Sequence, residues 1–174
     1  MEEVKVPNGV KVSVEGGIVK TAGALGNNSR KFNAAYIDVK VNGDSVQIIP
    51  TSSKKLARKA LNIANAFASE LRNDISGVQQ PFKINMSIVF SHFPLTLEVS
   101  GKSVLIKNML GERYPRRSNI VGDTKVEVKG NEVKISGPSK DDVSQTAANL
   151  RRASKIRKRD ERIFQDGVYY AAEV

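Results

Sequence analysis

Cysteine is absent from the sequence and histidine occurs once, as His92, and both scarcities limit the chemistry open to the chain. Without cysteine there can be no disulfide framework, zinc ribbon, iron–sulfur cluster or thiol nucleophile. A single histidine supplies too few ligands for a histidine-based metal site and weakens any interpretation as a catalytic triad. We therefore expect neither a bound metal ion nor a cofactor.

Long apolar segments are missing as well. No run of about 18 apolar residues occurs, so we expect no membrane-spanning helix. The segment Met1–Lys5 lacks the basic and apolar regions of a secretory signal. Tryptophan is absent and aromatic residues make up 6% of the chain, so the predicted apolar stripes are mainly aliphatic.

Basic residues are present in excess. The 174 residues include 28 Lys and Arg against 18 Asp and Glu, a formal net charge of +10. With 40% hydrophobic and 26% charged residues, the composition is typical of a folded protein. The positive charge favours an anionic partner, such as nucleic acid, but does not identify it.

The chain contains two related copies of one segment. An offset of 85 residues aligns one set of apolar and glycine positions, which pairs Val10, Val12, Val14, Gly16, Leu25 and Gly26 with Leu95, Leu97, Val99, Gly101, Leu110 and Gly111. An offset of 87 aligns a second set, which pairs Val39, Val41, Gly43, Val46 and Ile48 with Val126, Val128, Gly130, Val133 and Ile135. These collinear matches predict a duplicated domain, with copies at residues 1–80 and 81–174 and a basic C-terminal segment in the second.

Each copy reads as strands followed by one helix. Apolar residues alternate in segments 10–14, 36–41, 45–49, 84–90, 125–128 and 132–136. The Asn42-Gly43 turn is a strong hairpin signal, and Gly23–Asn28 is predicted to be a turn because it lacks the ending of a Walker loop.

Helical spacing follows the strands in both copies. The first stripe consists of Leu56, Ala60, Ile63, Ala64, Phe67 and Leu71, and the second of Val143, Ala147 and Leu150. We expect Ser52 or Ser53 to cap the first helix, Gly77 to follow its end, and Ser139 to cap the second helix. The predicted fold is α+β, with two tandem copies of a small domain, each with antiparallel sheets packed around one helix.

Two arginine-rich clusters lie in the second copy. Arg113-Tyr114-Pro115-Arg116-Arg117 is expected in a loop, because Gly111 and Pro115 interrupt the segment. The other cluster consists of Arg151, Arg152, Lys155, Arg157, Lys158, Arg159 and Arg162. Arginine donates in a planar, bidentate geometry that suits phosphate oxygens. Nearby aromatic residues could stack on unpaired bases, namely Tyr114, Phe164, Tyr169 and Tyr170. The alternative is a solvated basic helix end with the aromatic rings in the core.

Candidate catalytic residues have simpler structural explanations. Asp141-Asp142 begins the second helix, where acidic residues interact favourably with the helix dipole. Asp160-Glu161 lacks evidence of the cleft that general acid–base catalysis needs. His92 lies at the end of a strand beside a proline, where a hydrogen-bonded junction residue is expected. We expect no enzymatic activity and no small-molecule substrate.

Several motifs together resemble one known family. They are Val89-Phe90-Ser91-His92-Phe93-Pro94, Leu110-Gly111-Glu112-Arg113, Arg116-Arg117, Gly122-Asp123-Thr124-Lys125-Val126, Gln145-Thr146-Ala147-Ala148-Asn149 and Arg162-Ile163-Phe164-Gln165-Asp166-Gly167-Val168-Tyr169. Across essentially the whole chain, the sequence resembles the archaeal and eukaryotic branch of ribosomal protein six of the large subunit.

The resemblance implies a structural, cytoplasmic constituent of the large ribosomal subunit. Its partners would be large-subunit ribosomal RNA near the sarcin–ricin loop, neighbouring ribosomal proteins, and translational GTPases docking nearby. The implied RNA-binding residues are Arg113, Arg116, Arg117, Arg162, Phe164, Gly167 and Tyr169. Charge alone adds Lys155, Arg157, Lys158 and Arg159, while Asp166 is expected to orient a turn at Gly167.

Two other classes of function stay open on the sequence alone. One is a stand-alone nucleic-acid-binding module outside the ribosome, which would bind generic oligonucleotides as well as a folded ribosomal fragment. The other is an enzyme of RNA metabolism, which is disfavoured because the sequence shows no metal or nucleophile constellation.

Overall fold

The computed structural model describes residues 2–43, 45–51, 57–91, 93–160 and 162–171. The chain divides into two compact units, Met1–Pro81 and Phe82–Val174. Every strand pair in the described residues is antiparallel.

The first unit contains two three-stranded sheets and one helix. Its strands are β1 (Glu2–Lys5), β2 (Lys11–Glu15), β3 (Ile18–Gly23), β4 (Gly26–Lys31), β5 (Ile37–Asn42) and β6 (Ser45–Pro50). The sheet orders are β1-β6-β5 and β2-β3-β4. Helix α1 (Ala57–Gln79) contacts both sheets, so one helix covers the core of this unit.

The second unit repeats this plan and adds one strand. Its strands are β7 (Phe82–Val89), β8 (Thr96–Ser100), β9 (Ser103–Lys107), β10 (Arg116–Asn119), β11 (Lys125–Lys129), β12 (Glu132–Gly137) and β13 (Gly167–Tyr170), and its helix is α2 (Lys140–Ala153). The sheet orders are β10-β9-β8 and β11-β12-β7-β13.

The duplication is visible in the sheet topology. Strand order β1-β6-β5 in the first unit corresponds to β7-β12-β11 in the second, and β2-β3-β4 corresponds to β8-β9-β10. Strand β13, which pairs with the free edge of β7, has no counterpart among the described strands of the first unit. The predicted α+β fold, with antiparallel sheets packed around one helix in each copy, is therefore confirmed.

The two cores are formed by the predicted alternating and helical positions. In β6 and β12, Val46, Ile48, Val133 and Ile135 are all fully buried. Ala64 and Leu71 of α1 join the first core. Val143, Ala147 and Leu150 of α2 join the second. The Ser139 Oγ accepts a hydrogen bond from the backbone N–H of Asp142 at 3.3 Å, which confirms the predicted cap of α2.

The predicted end of the first helix is wrong. Helix α1 continues through Gly77 to Gln79, and Ile75 and Val78 extend its buried stripe. Burying two aliphatic side chains contributes about 1.5–3 kcal/mol each, which exceeds the cost of about 1 kcal/mol for a glycine inside a helix. The proposed caps Ser52 and Ser53, and Leu56 of the stripe, lie outside the described residues.

The predicted turn at Gly23–Asn28 is shorter than expected. Only Ala24 and Leu25 form the turn, while Gly23 closes β3 and Gly26 opens β4. A Cβ on Gly23 would lie 2.7 Å from Cγ2 of Val78, so glycine is needed there for close packing of the hairpin on α1. The Leu25 N–H also donates to the Val78 carbonyl at 3.2 Å, which joins the turn to the end of the helix.

Candidate nucleic-acid interface

Strand β10 and the residues directly after it lie along helix α2, and two hydrogen bonds fix their positions relative to the helix. The backbone N–H of Val121 donates to Thr146 Oγ1 at 3.0 Å. The Asn149 side-chain amide donates to the Asn119 carbonyl at 3.2 Å. Residues of the strand and of the helix can therefore act together on one surface.

A groove of about 300 Å³ opens between β10 and the C-terminal part of α2. We call it the arginine groove, and its lining residues are Arg117, Ser118, Asn119, Asn149, Arg152, Ala153 and Arg157. Arg117 and Asn119 share one face of β10 because side chains alternate along a strand. Asn149 and Arg152 share one face of α2 because they are three residues apart. No carboxylate lines the groove, so its local charge is strongly positive.

The guanidinium groups of Arg117, Arg152 and Arg157 have no ion-pair or hydrogen-bond partner within the described part of the chain. All three residues are exposed. Three unpaired arginines around one groove can donate to several anionic oxygens at once, and planar guanidinium groups suit phosphate in particular. The arrangement has the charge and the donor geometry that suit phosphate.

Arg116 is not among the residues that line the groove, and its side chain is paired within the protein. Its Nε donates to Glu112 Oε2 at 2.7 Å, and a second nitrogen donates to Glu112 Oε1. Its Nη1 donates to the backbone carbonyls of Ala153 at 3.1 Å and Lys155 at 2.9 Å. The hydrogen bond from Arg116 lowers the pKa of the Glu112 carboxyl, and the same bond raises the pKa of Arg116.

The predicted loop position of Arg116 and Arg117 is wrong. Both residues belong to β10, where they pair with Ile106 and Leu105 of β9. Pairing with β9 begins directly after Pro115, because proline lacks a backbone N–H but leaves the next residue free to donate. Arg113 precedes the strand in an exposed bend and does not line the groove.

Two of the aromatic residues near the basic segment carry arginines on their rings. The Arg151 guanidinium lies 4.3 Å from the Tyr169 ring centroid, and that of Arg159 lies 4.8 Å from the Phe164 centroid. Such cation–π contacts attract the guanidinium to the face of the ring and so orient it. Tyr114 is 80% exposed, so it does not belong to the core.

Gly167 and Asp166 are buried parts of the fold. Gly167 opens β13 with φ at +150°, and a Cβ there would lie 3.3 Å from the Ser154 carbonyl oxygen. The Asp166 Oδ1 accepts a hydrogen bond from the Ser91 N–H at 2.8 Å, which joins the ends of β7 and β13. The buried position of Gly167 is explained by packing inside the protein and does not favour a backbone contact with RNA.

The remaining basic residues named from the sequence lie outside the groove lining. Lys155, Lys158, Arg159 and Arg162 are exposed in the irregular segment between α2 and β13. Lys158 has a positive φ of 60°, so the chain turns sharply between Arg157 and Arg159. This turn separates the groove arginine Arg157 from Arg159, which lies on Phe164.

Five residues of the groove lining were missing from the predicted site, namely Ser118, Asn119, Asn149, Arg152 and Ala153. Arg152 was part of the basic cluster for which phosphate contact was expected, and Asn149 closed one of the family motifs, but neither was among the predicted RNA-binding residues. Asn119 carried no signal of its own. The helical spacing of Gln145, Asn149 and Arg152 places all three on one face, and this pattern could have indicated a polar surface on α2.

The residues considered for catalysis have structural surroundings. The Asp142 carboxylate lies against the Gly122 turn, where an added Cβ would come within 2.8 Å of its Cγ. The Asp160 Oδ1 accepts a hydrogen bond from the Arg162 N–H at 2.9 Å. His92 and Glu161 lie outside the described residues. Within the described ranges, no three His, Cys, Asp or Glu side chains cluster as metal ligands.

The helices in those same ranges are too short or too polar for any of them to cross a membrane.

Comparison with known proteins shows which family the chain belongs to. The family model for ribosomal protein L6 matches the chain twice, at residues 6–80 and 93–167. The chain belongs to the ribosomal protein L6 family. The two matches fall on the two copies of the repeat, so the family model confirms the duplication that the sequence predicted.

Several archaeal proteins of the L6 family are similar to the chain. Large ribosomal subunit protein uL6 of Methanocella arvoryzae is 42% identical over 174 residues, which covers 99% of this chain and 97% of the relative. The uL6 proteins of Methanosarcina mazei and Thermoplasma acidophilum are 43% and 41% identical, and each comparison covers 95% of this chain and more than nine-tenths of the relative. The predicted resemblance to the archaeal-type branch of the L6 family is confirmed.

Proposed function

We propose that the chain binds large-subunit ribosomal RNA near the sarcin–ricin loop and the site where translational GTPases dock. As an L6-family protein it is a constituent of the large subunit of the cytoplasmic ribosome and not an enzyme. Its partners are ribosomal RNA and neighbouring ribosomal proteins. In this proposal the RNA contact is made chiefly by the second unit.

The arginine groove is the observation that carries the proposal. Arg117, Arg152 and Arg157 are exposed and unpaired among the described residues, and no acidic residue interrupts the lining. Folded RNA brings phosphates close together, and guanidinium groups carried by β10 and the segment at the end of α2 can neutralise several of them at once. Recognition of this kind reads RNA shape through phosphates and riboses, with few contacts to base edges.

Asn149 and Asn119 give the groove uncharged polar groups beside the arginines. The Asn149 side-chain oxygen accepts a hydrogen bond from Gln145 at 2.8 Å, which fixes the orientation of the amide. Uncharged amides suit a ribose hydroxyl, which acts as both donor and acceptor. The 2′-hydroxyl distinguishes RNA from DNA, so we expect the groove to prefer RNA.

Binding to a ribosomal RNA fragment that contains the sarcin–ricin loop tests the proposal. The variant with Arg117→Ala, Arg152→Ala and Arg157→Ala should bind more weakly. Its slope of log affinity against log salt should be shallower by about 2–3, since each lost phosphate contact removes about 0.7–0.9.

A charge-matched control removes three exposed lysines from the same unit, by the changes Lys83→Ala, Lys125→Ala and Lys129→Ala. These lysines lie on one face of the β11-β12-β7 sheet, away from the groove lining. The control should keep the salt slope of the unchanged protein. Equal slopes for the two triple variants would contradict the groove assignment.

The rival function, a nucleic-acid-binding module outside the ribosome, gives a different result in the same assay. Such a module would bind a generic oligonucleotide of equal length as tightly as the folded ribosomal fragment. We expect the fragment to bind more tightly and the chain to sediment with large subunits at moderate salt.

A further inference from the structure

We infer that Arg116 and Glu112 form a positioning pair that holds the arginine groove in its binding geometry and does not itself contact RNA. The inference rests on the proposed function, because it concerns how the same groove is assembled. It assigns to Arg116 a role different from the RNA contact that the family resemblance implies.

Arg116 has almost no hydrogen-bond donors left for an RNA phosphate. A guanidinium group has five N–H donors. Arg116 uses two on the Glu112 carboxylate and two on the carbonyls of Ala153 and Lys155. Its charge is balanced by a carboxylate in a bidentate pair, and its side chain is only 25% exposed. A phosphate would have to displace these partners to bind Arg116.

The hydrogen-bond partners of Arg116 lie close to the groove arginines in the chain. Ala153 is the last residue of α2 and directly follows Arg152. Lys155 lies two residues before Arg157, and Arg116 directly precedes Arg117 in β10. Each of the three groove arginines is thus within two residues of an atom in the Arg116 hydrogen-bond network. The network therefore fixes the backbone from which all three side chains project.

The same segment is held from its other side by Ser154. The Ser154 Oγ accepts a hydrogen bond from the Val168 N–H in β13 at 3.1 Å, and Ser154 is fully buried. Arg116 and β13 thus constrain the end of α2 from two directions. Loss of the Arg116 bonds leaves Ser154 in place, so the unit should stay folded while the groove arginines spread over more orientations.

Substitution of Glu112 tests the inference most directly. A positioning role and a purely repulsive role of its carboxylate predict opposite changes in RNA affinity. A carboxylate beside an RNA surface repels phosphate, so removing its charge should strengthen binding if Glu112 has no positioning role. If Glu112 orients Arg116, the change Glu112→Gln should weaken binding. Glu98 offers a matched control, since it is an exposed glutamate paired with Lys107 in the same unit and is absent from the groove lining.

The experiment measures affinity and salt slope for the ribosomal RNA fragment with Arg116→Ala, Glu112→Gln and Glu98→Gln. We expect Arg116→Ala to weaken binding about tenfold, because a groove that adopts its binding geometry about a tenth of the time binds about ten times more weakly. The salt slope should stay unchanged, because no phosphate contact is lost. Glu112→Gln should weaken binding as well, while Glu98→Gln should leave it unchanged or slightly stronger.

Three results would overturn the inference. A salt slope lowered by about 0.7–0.9 in Arg116→Ala would identify Arg116 as a direct phosphate contact. Tighter binding by Glu112→Gln would show a repulsive carboxylate without a positioning role. Arg116→Lys separates charge from geometry, since lysine keeps the charge but cannot make the fork of hydrogen bonds; unchanged affinity in this variant would also contradict the inference.

Failure of the proposed function gives a different pattern. In that case the groove triple variant binds RNA with the same affinity and salt slope as its lysine control, whatever the results for the Arg116 variants. If the groove variant weakens binding and only the Arg116 results differ from expectation, the proposed function stands and the positioning role is wrong. Circular dichroism of each variant, matching that of the unchanged protein, shows that the comparison is between folded proteins.

Discussion

The change Asp74→Asn should destabilise the first unit through the buried pair that joins β4 to α1. Arg30 Nε donates to Asp74 Oδ2 at 2.8 Å, and a second Arg30 nitrogen donates to Oδ1 at 3.1 Å. The Asp74 side chain is 5% exposed. Asparagine offers one acceptor oxygen where aspartate offers two, and its NH₂ group would face the guanidinium donors. The loss of one charge-assisted hydrogen bond at a buried site costs about 2 kcal/mol.

Urea unfolding followed by circular dichroism measures this cost. With an m-value of about 1.5 kcal/mol/M for a small domain, a loss of about 2 kcal/mol lowers the midpoint of the first unit by about 1.3 M. Glu70→Gln is the matched control, because Glu70 also pairs with Arg30, at 3.1 Å, but its side chain is 48% exposed. An exposed partner contributes under about 1 kcal/mol. Equal midpoints for the two variants would refute the reasoning that burial makes the Asp74 pair strong.

Three further predictions concern packing, a buried hydrogen bond and pH. Gly23→Ala should destabilise the first unit by about 1–3 kcal/mol in the same urea assay, because its Cβ would meet Val78 at 2.7 Å. Ser154→Ala should cost the second unit about 1–3 kcal/mol, since the Val168 N–H loses its buried acceptor; no change in midpoint would contradict this. Because the hydrogen bond from Arg116 lowers the pKa of Glu112, the ionised carboxylate stabilises the folded state at any pH above the ordinary glutamate pKa of about 4.3. This stabilisation is lost as the pH falls through the lowered pKa. The Tm difference between the unchanged protein and Glu112→Gln should therefore be present at neutral pH and disappear in acid.

Local patterns explain why most of the fold could be predicted from the sequence. Alternation in β6 and β12 and the apolar stripes of both helices depend on neighbours a few residues away. The repeat was visible because the same core positions recur with a nearly constant offset. The Ser139 cap is also local, since donor and acceptor are three residues apart.

Features that depend on distant residues were missed. Strand β4 has the polar sequence Gly-Asn-Asn-Ser-Arg-Lys and forms because it pairs with β3 and because Arg30 meets Asp74, 44 residues away. Helix α1 passes through Gly77 because Val78 packs against Gly23. The Arg30–Asp74 contact leaves no periodic signal in the sequence, whereas Leu71, Ile75 and Val78 continue the helical spacing past Gly77 and could have predicted the longer helix.

The candidate site shows the same limit. The positions of the arginines are known from the sequence, but their side-chain partners in the fold decide which of them are free to bind phosphate. Arg116 and Arg117 are adjacent in the sequence, yet one is held by Glu112 and two backbone carbonyls while the other lines the groove. Strand alternation accounts for this difference once both residues are known to lie in β10, and the break at Pro115 concealed that strand.

The measurement that tests the central claim most directly is tethered hydroxyl-radical cleavage of ribosomal RNA in reconstituted large subunits. The chain has no cysteine, so a single introduced thiol carries the iron chelate without removal of native thiols. Gln145→Cys places the probe on the α2 face that carries Asn149 and Arg152, and Glu127→Cys places it on the exposed face of β11. Our account predicts cleavage near the sarcin–ricin loop from position 145 and weak or absent cleavage there from position 127. Strong cleavage near the loop from position 127, with none from position 145, would contradict it.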